Sequence, residues 1–250
     1  MKILAVDTTS TSGSVAMVDG ERVVAEWSLH ATATHNRRLL RTVDLLLKDA
    51  GWSVDRIDCF AATRGPGSFT GIRIGLTTMK TLAWSLGKRY VAAASLDVLA
   101  APLGFANLPV CALIDARKKE VYCALYQPDG RGNLTRSSDY LVIPPERVTE
   151  LIKGPTIVCG DGWMLYRDQL RGELGDRAVE VPSPFHDIRA SFLAEAARLR
   201  LLSGDTDDPM TSTPLYVRPS EAEMLFPHLA PPPEVEIKSS IPDDSPRTDN

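Results

Sequence analysis

The feature that most restricts the possible fold is a weak internal repeat of roughly 100 residues. Residues 2–20 (KILAVDTTSTSGSVAMVDG) and 110–130 (VCALIDARKKEVYCALYQPDG) share one order: an apolar strand ending in Asp, a polar turn, a second apolar strand, then Asp-Gly. A strand and glycine loop at 156–162 likewise matches the one at 57–67. Solenoid repeats span only ~20–50 residues, so this pattern predicts two duplicated α/β domains.

The first half alternates strand and helix signals. Three apolar segments with an Asp-Gly turn predict an opening meander. The helix that follows carries an apolar stripe, while Leu40 and Leu45 lie off that stripe, so more than one of its sides needs a partner. The predicted strands are 3–6, 15–18, 22–29, 57–63 and 90–94, and the predicted helices are 33–50 and 71–87, with another beginning at 95.

The second half is leaner. Residues 163–187 look irregular, and 189–204 (RASFLAEAARLRLLSG) predict an amphipathic helix. The final segment is rich in proline and acids and has little apolar surface to offset its ordering entropy. We therefore predict domains at 1–104 and 105–223, followed by a disordered tail at 224–250.

Charge and cysteine usage indicate the setting of the chain. The net charge is −4, and residues 231–250 carry −3 of it, so no basic field exists to attract nucleic acid without help. Four separated cysteines, in strand-like runs, favour buried thiols and a reducing compartment. No apolar run reaches the ~20 residues of a membrane span. These features predict a cytoplasmic protein without a membrane segment.

Two segments carry possible chemistry. Asp7, Thr8 and Thr9 follow the first strand, where an acid and hydroxyls suit either phosphate and Mg²⁺ contact or a capped hairpin turn. Asp115 takes the equivalent place in the second half. The segment 64–71 (RGPGSFTG) is a glycine loop before a helix that Ser68 or Thr70 can cap. It matches neither a Walker loop nor G-x-G-x-x-G, so anion binding and tight packing both stay open.

The basic and imidazole side chains give weaker signals. His30 and His35 are five residues apart, which does not suit two metal ligands on one helix face. Arg117, Lys118 and Lys119 cluster on the turn of the second half. A solvated turn is the default interpretation, and a phosphate-facing patch is the alternative, without interleaved aromatic residues to suggest base stacking.

Taken in order, the motifs resemble a known family. ILAVDTTS, the His35 helix, ATRGPGSFTGIRIG (62–75), DARKKEVY (115–122) and PLYVR (214–218) are similar to TsaB, also called YeaZ, over residues 1–223. Thr63 stands where this family often has Gly. The family's motif loop here comprises Arg64, Gly65, Pro66, Gly67, Ser68, Phe69, Thr70, Gly71 and Arg73.

The resemblance implies two tandem domains of the actin, Hsp70 and sugar-kinase (ASKHA, ribonuclease H-like) class. It also implies work with the paralogue TsaD and the ATPase TsaE. That complex moves a threonylcarbamoyl group onto N6 of the adenosine just 3′ of the anticodon, in tRNAs that read ANN codons. ATP and a metal ion are expected on the partner subunits, and tRNA is expected to meet this chain through the complex.

One departure from TsaD bears on catalysis. TsaD has a metal-binding His-x-x-x-His pair after its glycine loop, and Ser95 and Leu99 fall at those places here. Neither side chain replaces imidazole as a ligand. The resemblance therefore implies no metal, no cofactor and no catalytic residue in this chain, which is not expected to be an enzyme by itself. It resembles a paralogue kept as a scaffold.

The resemblance also implies a partner surface. The first two helices of the family meet TsaD in a four-helix interface, and without TsaD the same surface pairs with itself as a homodimer. Gly75 would allow close approach of a partner helix. The candidates are Leu39, Leu40, Val43, Leu46, Leu47, Ile72, Gly75, Leu76 and Met79, some of which must face the chain's own sheet.

Two alternatives remain. A kinase-like enzyme that uses ATP would rest on Asp7, Thr8, Thr9, Asp115 and the glycine loops, although GDGW (160–163) lacks an extended adenosine loop. A peptidase is the least supported, because no nucleophile–histidine pair or metal site is evident.

Overall fold

The computed structural model describes residues 1–30 and 38–218. His35 and the predicted tail at 224–250 lie outside the described residues. Residues 1–218 form one compact unit.

The first half builds a five-stranded sheet in the order β3-β2-β1-β4-β5. The first three strands are antiparallel, as the meander predicted, and β4 and β5 are parallel to β1. The strands are β1 (Lys2–Asp7), β2 (Ser12–Asp19), β3 (Arg22–His30), β4 (Cys59–Thr63) and β5 (Arg89–Ala93), and the helices are α1 (Leu39–Asp49), α2 (Phe69–Ser85) and α3 (Ser95–Ala100).

The second half repeats this plan. Its sheet has the order β11-β10-β6-β7-β8, with β9 also paired to β7, so the third strand of the repeat is split into two short pieces. The strands are β6 (Val110–Asp115), β7 (Val121–Pro128), β8 (Leu134–Arg136), β9 (Leu141–Ile143), β10 (Thr156–Cys159) and β11 (Ala178–Glu180), and the helices are α4 (Val148–Leu151), α5 (Asp161–Leu174) and α6 (Ala190–Leu202). Two sheets of matching order confirm the predicted duplicated ASKHA-like α/β fold.

Helix α5 corrects one prediction, because residues 163–187 are not irregular at their start. Trp163, Leu170 and Leu174 bury one stripe of this helix. The backbone leaves helical geometry at Tyr166 (φ −110°, ψ 16°), and Gly172, a poor helix former, lies within the helix. The local distortion and the sparse apolar residues conceal the helical period from inspection of the sequence.

The two halves share one core. A single cluster joins Ala5 and Val91 of the first sheet to Ala112 and Tyr122 of the second. Helix α6 belongs to the second half of the sequence, yet its buried residues pack in this cluster and the helix contacts β1 and β2. The predicted boundary at 104/105 therefore separates the two sheets in the sequence, but both halves contribute to one continuous core.

Helix α1 shows which of the proposed interface residues a partner can reach. Leu39, Val43, Leu46 and Leu47 pack against the first sheet, and Ile72, Gly75, Leu76 and Met79 of α2 are also buried. Only Leu40, at 59% exposure, lies on the surface. The other eight residues are packed within this chain, so a partner could reach Leu40 directly, and the interface itself stays a prediction.

The remaining predictions concern cysteines and membrane spans. All four cysteines are buried and unpaired, as expected, and burial raises the pKa of the Cys59 thiol to about 12. In the part of the chain that the structure describes, no helix has the length and apolarity needed to cross a bilayer.

We expect Leu46→Glu to destabilise the fold by at least about 3 kcal/mol, because it removes a core side chain and buries a charge. The control Leu199→Glu, at a position of α6 that is 51% exposed, should leave the free energy of unfolding almost unchanged. Urea titration followed by circular dichroism compares the two. Equal stability of both variants would contradict the packing of α1 described above.

Candidate functional site

The turn after β1 is organised by one buried carboxylate. Oδ1 of Asp7 accepts from the Thr9 amide at 3.2 Å, from the Thr9 hydroxyl at 2.7 Å and from the Thr63 hydroxyl at 2.5 Å. All three residues are buried. Of the two interpretations that the sequence left open for Asp7, these bonds match the capped turn, and Thr63 is an additional donor from β4 that the sequence did not identify.

Thr8 fastens this turn to helix α2. Its hydroxyl donates to the Gly71 carbonyl at 2.6 Å and accepts from the Gly75 amide at 3.1 Å. These two backbone groups are four residues apart and would bond to each other in an undisturbed helix. The hydroxyl therefore bridges two groups of one helical turn and joins the turn after β1 to α2.

The glycines of the loop and helix make this approach possible. A Cβ on Gly71 would lie 1.9 Å from the Thr8 carbonyl oxygen, and one on Gly67 would lie 2.2 Å from the Thr9 carbonyl oxygen. A Cβ on Gly75 would lie 2.5 Å from the Thr8 hydroxyl. The prediction that Gly75 admits a partner helix is thus corrected, since it admits a turn of its own chain. Of the two interpretations left open, the structure favours close packing.

The loop is closed on its remaining sides as well. The Ser68 side chain accepts from the Gly71 amide at 3.2 Å and caps α2, as expected, while the Ser68 amide donates to the Thr9 carbonyl at 2.7 Å. Gly65 has a φ of +107°, and a Cβ there would meet the Leu215 carbonyl oxygen at 2.6 Å. Backbone from three separate parts of the chain therefore surrounds the loop.

The positions of the TsaD histidines hold structural residues. The Ser95 hydroxyl bonds to the Thr9 hydroxyl at 3.0 Å, and the Ser95 amide donates to the Gly65 carbonyl at 2.8 Å. Leu99 is 1% exposed and belongs to the shared core. Within residues 1–30 and 38–218, no group of three or more His, Cys, Asp or Glu side chains is arranged to hold a metal ion.

The second half holds a different acidic pair. The Asp115 amide donates to Oδ1 of Asp161 at 2.9 Å, while the Asp115 carboxylate accepts from the Arg117 amide at 2.8 Å and pairs with its guanidinium at 3.1 Å. Burial, assisted by the nearby Asp115 charge, raises the pKa of Asp161 to about 6. Asp161 is not among the site residues predicted from the sequence, although TIVCGDG places this acid directly after a buried strand, at the start of α5.

The turn between β6 and β7 has an unusual backbone. Arg117, Lys118 and Lys119 have φ values of 60°, 53° and 60°, so three consecutive non-glycine residues are left-handed. Such residues cost about 1–2 kcal/mol each and need support from their surroundings. That support includes the Ala116–Glu120 backbone bond at 3.0 Å. All three side chains of this turn, which we call the basic turn, are exposed.

A final segment, residues 205–218, crosses the first half and reaches the basic turn; we call it the strap. Asp207 donates its amide to the Tyr90 carbonyl on edge strand β5 at 2.9 Å, and Leu215 donates to the Arg64 carbonyl at 2.7 Å. Arg218 donates to the Ala116 carbonyl at 3.0 Å and pairs with Glu120. The sequence showed the PLYVR motif within the strap but not what it contacts.

Comparison with known proteins agrees with this architecture. The family model described as TsaD, tRNA N6-adenosine threonylcarbamoyltransferase, matches residues 29–198. The chain is 31% identical to a tRNA threonylcarbamoyladenosine biosynthesis protein TsaB of Bacillus subtilis, over 89% of this chain and 96% of that protein. It is 35% identical to the Escherichia coli protein of the same name, over 67% and 74%. The solved structure described as YeaZ from Pseudomonas aeruginosa superposes with a TM-score of 0.73 at 29% identity, covering 86% of this chain and 99% of that one.

We expect Gly75→Ala to lower the free energy of unfolding by about 1–3 kcal/mol, because its Cβ must displace the Thr8 hydroxyl. The matched control is Gly172→Ala, also within a helix but with no atom within 4 Å of the added Cβ. That change should stabilise the protein by about 0.5–1 kcal/mol through helix propensity. Chemical denaturation measures both, and a harmless Gly75→Ala would exclude the tight contact with Thr8.

Asp161 predicts a pH-dependent effect. The folded state raises the pKa of this carboxyl from 3.8 to about 6, so ionisation favours the unfolded chain, and its contribution to stability falls as pH rises from about 4 to 6. Asn keeps an acceptor for the Asp115 amide without the charge. The stability advantage of Asp161→Asn should grow across that window to up to about 3 kcal/mol, measured by denaturation at a series of pH values. The exposed Asp176→Asn is the control, and an advantage that does not change with pH would refute the assignment.

Proposed function

Because the chain belongs to the TsaB (YeaZ) family of tRNA threonylcarbamoyladenosine biosynthesis proteins, we propose that it is a non-catalytic subunit of the machinery that makes this nucleoside. Its place of action is the cytoplasm. The reaction transfers a threonylcarbamoyl group from an adenylate to N6 of the adenosine 3′ of the anticodon. TsaD carries out the transfer and TsaE supplies ATP hydrolysis, so the metal ion and the nucleotide belong to those partners.

The scaffold role is supported by the hydrogen bonds that the polar groups of the turn after β1 make within the chain. Thr8, Thr9 and Ser95 are all buried. Thr8 bonds to the backbone of α2, and Ser95 of α3 bonds to Thr9, so these bonds hold the turn against both helices. A phosphate at this turn would have to replace contacts that maintain the fold. This arrangement favours a structural role for these groups over the kinase-like alternative.

The partner surface of the proposal lies on the outer sides of α1 and α2. Leu40 and Leu45 of α1 are 59% and 53% exposed, and Trp84 near the end of α2 is 64% exposed. Large apolar side chains of this kind are often covered by a partner protein. We propose that this surface binds TsaD, and that a second copy of the chain covers it when TsaD is absent.

Depletion of this protein in its own cells, followed by nucleoside mass spectrometry of tRNA, tests the proposed function. We expect threonylcarbamoyladenosine to fall at least tenfold and to return when the wild-type chain is supplied. The double variant Leu40→Glu/Leu45→Glu should fold but fail to restore the nucleoside, because two charges on the partner surface oppose burial of that surface.

The matched control is Leu199→Glu/Leu202→Glu, which adds the same charges at exposed positions of α6 (51% and 68%). This control should restore the nucleoside. A normal nucleoside level after depletion would contradict the proposed function. Restoration by the α1 double variant would contradict only the partner surface.

A further inference from the structure

We propose that the basic turn and an aromatic cluster beside it form a surface that binds the tRNA directly. The aromatic cluster is Phe69 and Tyr216 with Arg73. The proposal rests on the proposed function for the identity of the RNA. The parts of this surface are far apart in the sequence: Arg73 lies more than 40 residues before the basic turn, and Tyr216 lies more than 40 residues after it.

The geometry of the aromatic cluster suits the stacking of a base. The rings of Phe69 and Tyr216 lie 5.1 Å apart between centroids, inclined by 24°. The Arg73 guanidinium carbon is 3.9 Å from the centre of the Phe69 ring, and its Nε donates to the Tyr216 hydroxyl at 2.9 Å. Phe69 and Tyr216 remain 40% and 38% exposed. Aromatic rings and guanidinium planes held at a surface are the groups on which unpaired RNA bases stack.

The strap brings the basic turn to this cluster. Tyr216 lies two residues before Arg218, so their Cα atoms are at most about 7 Å apart. The Arg218 side chain in turn contacts Ala116 and Glu120, which flank the basic turn. The aromatic cluster and the basic turn are therefore separated by no more than two residues of chain and one arginine side chain.

The surface is positive although the whole chain is negative. Five cationic side chains meet here, and among the described residues Asp115 pairs with Arg117 and Glu120 pairs with Arg218. In residues 1–30 and 38–218, no carboxylate oxygen lies within 4 Å of the charged nitrogens of Arg73 or Lys119. Strap residues 209–218 contribute no acid. This local excess of cations is what a polyanion requires.

The basic turn is held in one unusual conformation by its hydrogen bonds. A left-handed run at Arg117, Lys118 and Lys119 is maintained by bonds from Asp115, Glu120 and Arg218. A flexible turn would expose the same charges without this conformational cost, and strained segments of this kind are concentrated at functional sites. An RNA fits both halves of the surface, with phosphates on the cations and a base on the rings, whereas an acidic protein fits only the first half.

The test measures binding of an unmodified tRNA transcript to the full chain by fluorescence anisotropy at a series of KCl concentrations. Lys118→Gln/Lys119→Gln should weaken binding and reduce the slope of log K against log salt by about 0.7–0.9 for each phosphate that the variant no longer neutralises. Tyr216→Leu keeps an apolar contact with Phe69 but removes a ring. It should weaken binding about 5- to 100-fold at every salt concentration with the slope unchanged.

The matched control is Arg131→Gln/Lys153→Gln. It removes the same charge from exposed positions at the opposite end of the second sheet, because the register of β6 with β7 and β10 places both residues away from Asp115. This control should bind like the wild type. Thermal melting establishes that each variant is folded, and Arg73→Gln replaces Tyr216→Leu if that variant is not.

Three outcomes would overturn the proposal: no binding by the wild-type chain at the lowest salt, an equal weakening in the control, or unchanged binding in both site variants. Equal competition by polyglutamate, together with unchanged binding by Tyr216→Leu, would instead assign the surface to an acidic protein. Failure of the proposed function is distinguishable, because it is measured as the nucleoside level after depletion and not as RNA binding.

Discussion

The pair of hydrogen bonds from the Thr8 hydroxyl to the Gly71 carbonyl and the Gly75 amide is the contact on which the first half depends. It connects the end of the central strand to the first turns of α2, and it needs two glycines in a helix, where glycine is unfavourable by about 1 kcal/mol relative to alanine. The cost is offset by the two hydrogen bonds of Thr8, and the turn itself is held by the Asp7 carboxylate, which accepts from Thr9 and Thr63. The distinctive glycine motif is therefore explained by packing.

This use of the polar groups has a consequence for function. In the first half, an acid, two threonines and a serine form a buried network that closes the turn against α2 and α3. The two proposed binding surfaces lie elsewhere: exposed leucines on α1 for a partner protein, and cations and rings near the start of α2 for an RNA. Phe69 and Trp84 are 15 residues apart on this helix, about 22 Å along its axis. This distance separates Trp84 of the proposed partner surface from Phe69 of the proposed RNA surface.

The strap makes the two halves interdependent. It covers the edge strand β5, supports the glycine loop through Leu215 and ends at the basic turn of the second half. Helix α6 acts in the same direction from the interior, because it comes from the second half and packs on the first sheet. The first half therefore completes its sheet edge and its core with residues from the second part of the chain.

The sequence by itself determined the duplicated α/β plan and the opening meander, and it narrowed the cap of α2 to Ser68 or Thr70. These depend on periodicity and on contacts between near neighbours, which are legible in a linear chain. Only the tertiary structure decided which side of α1 is buried, what Gly75 faces, that Asp161 lies against Asp115, and that Phe69 and Tyr216 stack beside a basic turn. Those outcomes join residues 46 to 147 positions apart. They are set by how the sheets and the strap pack, which no local pattern of residue types encodes.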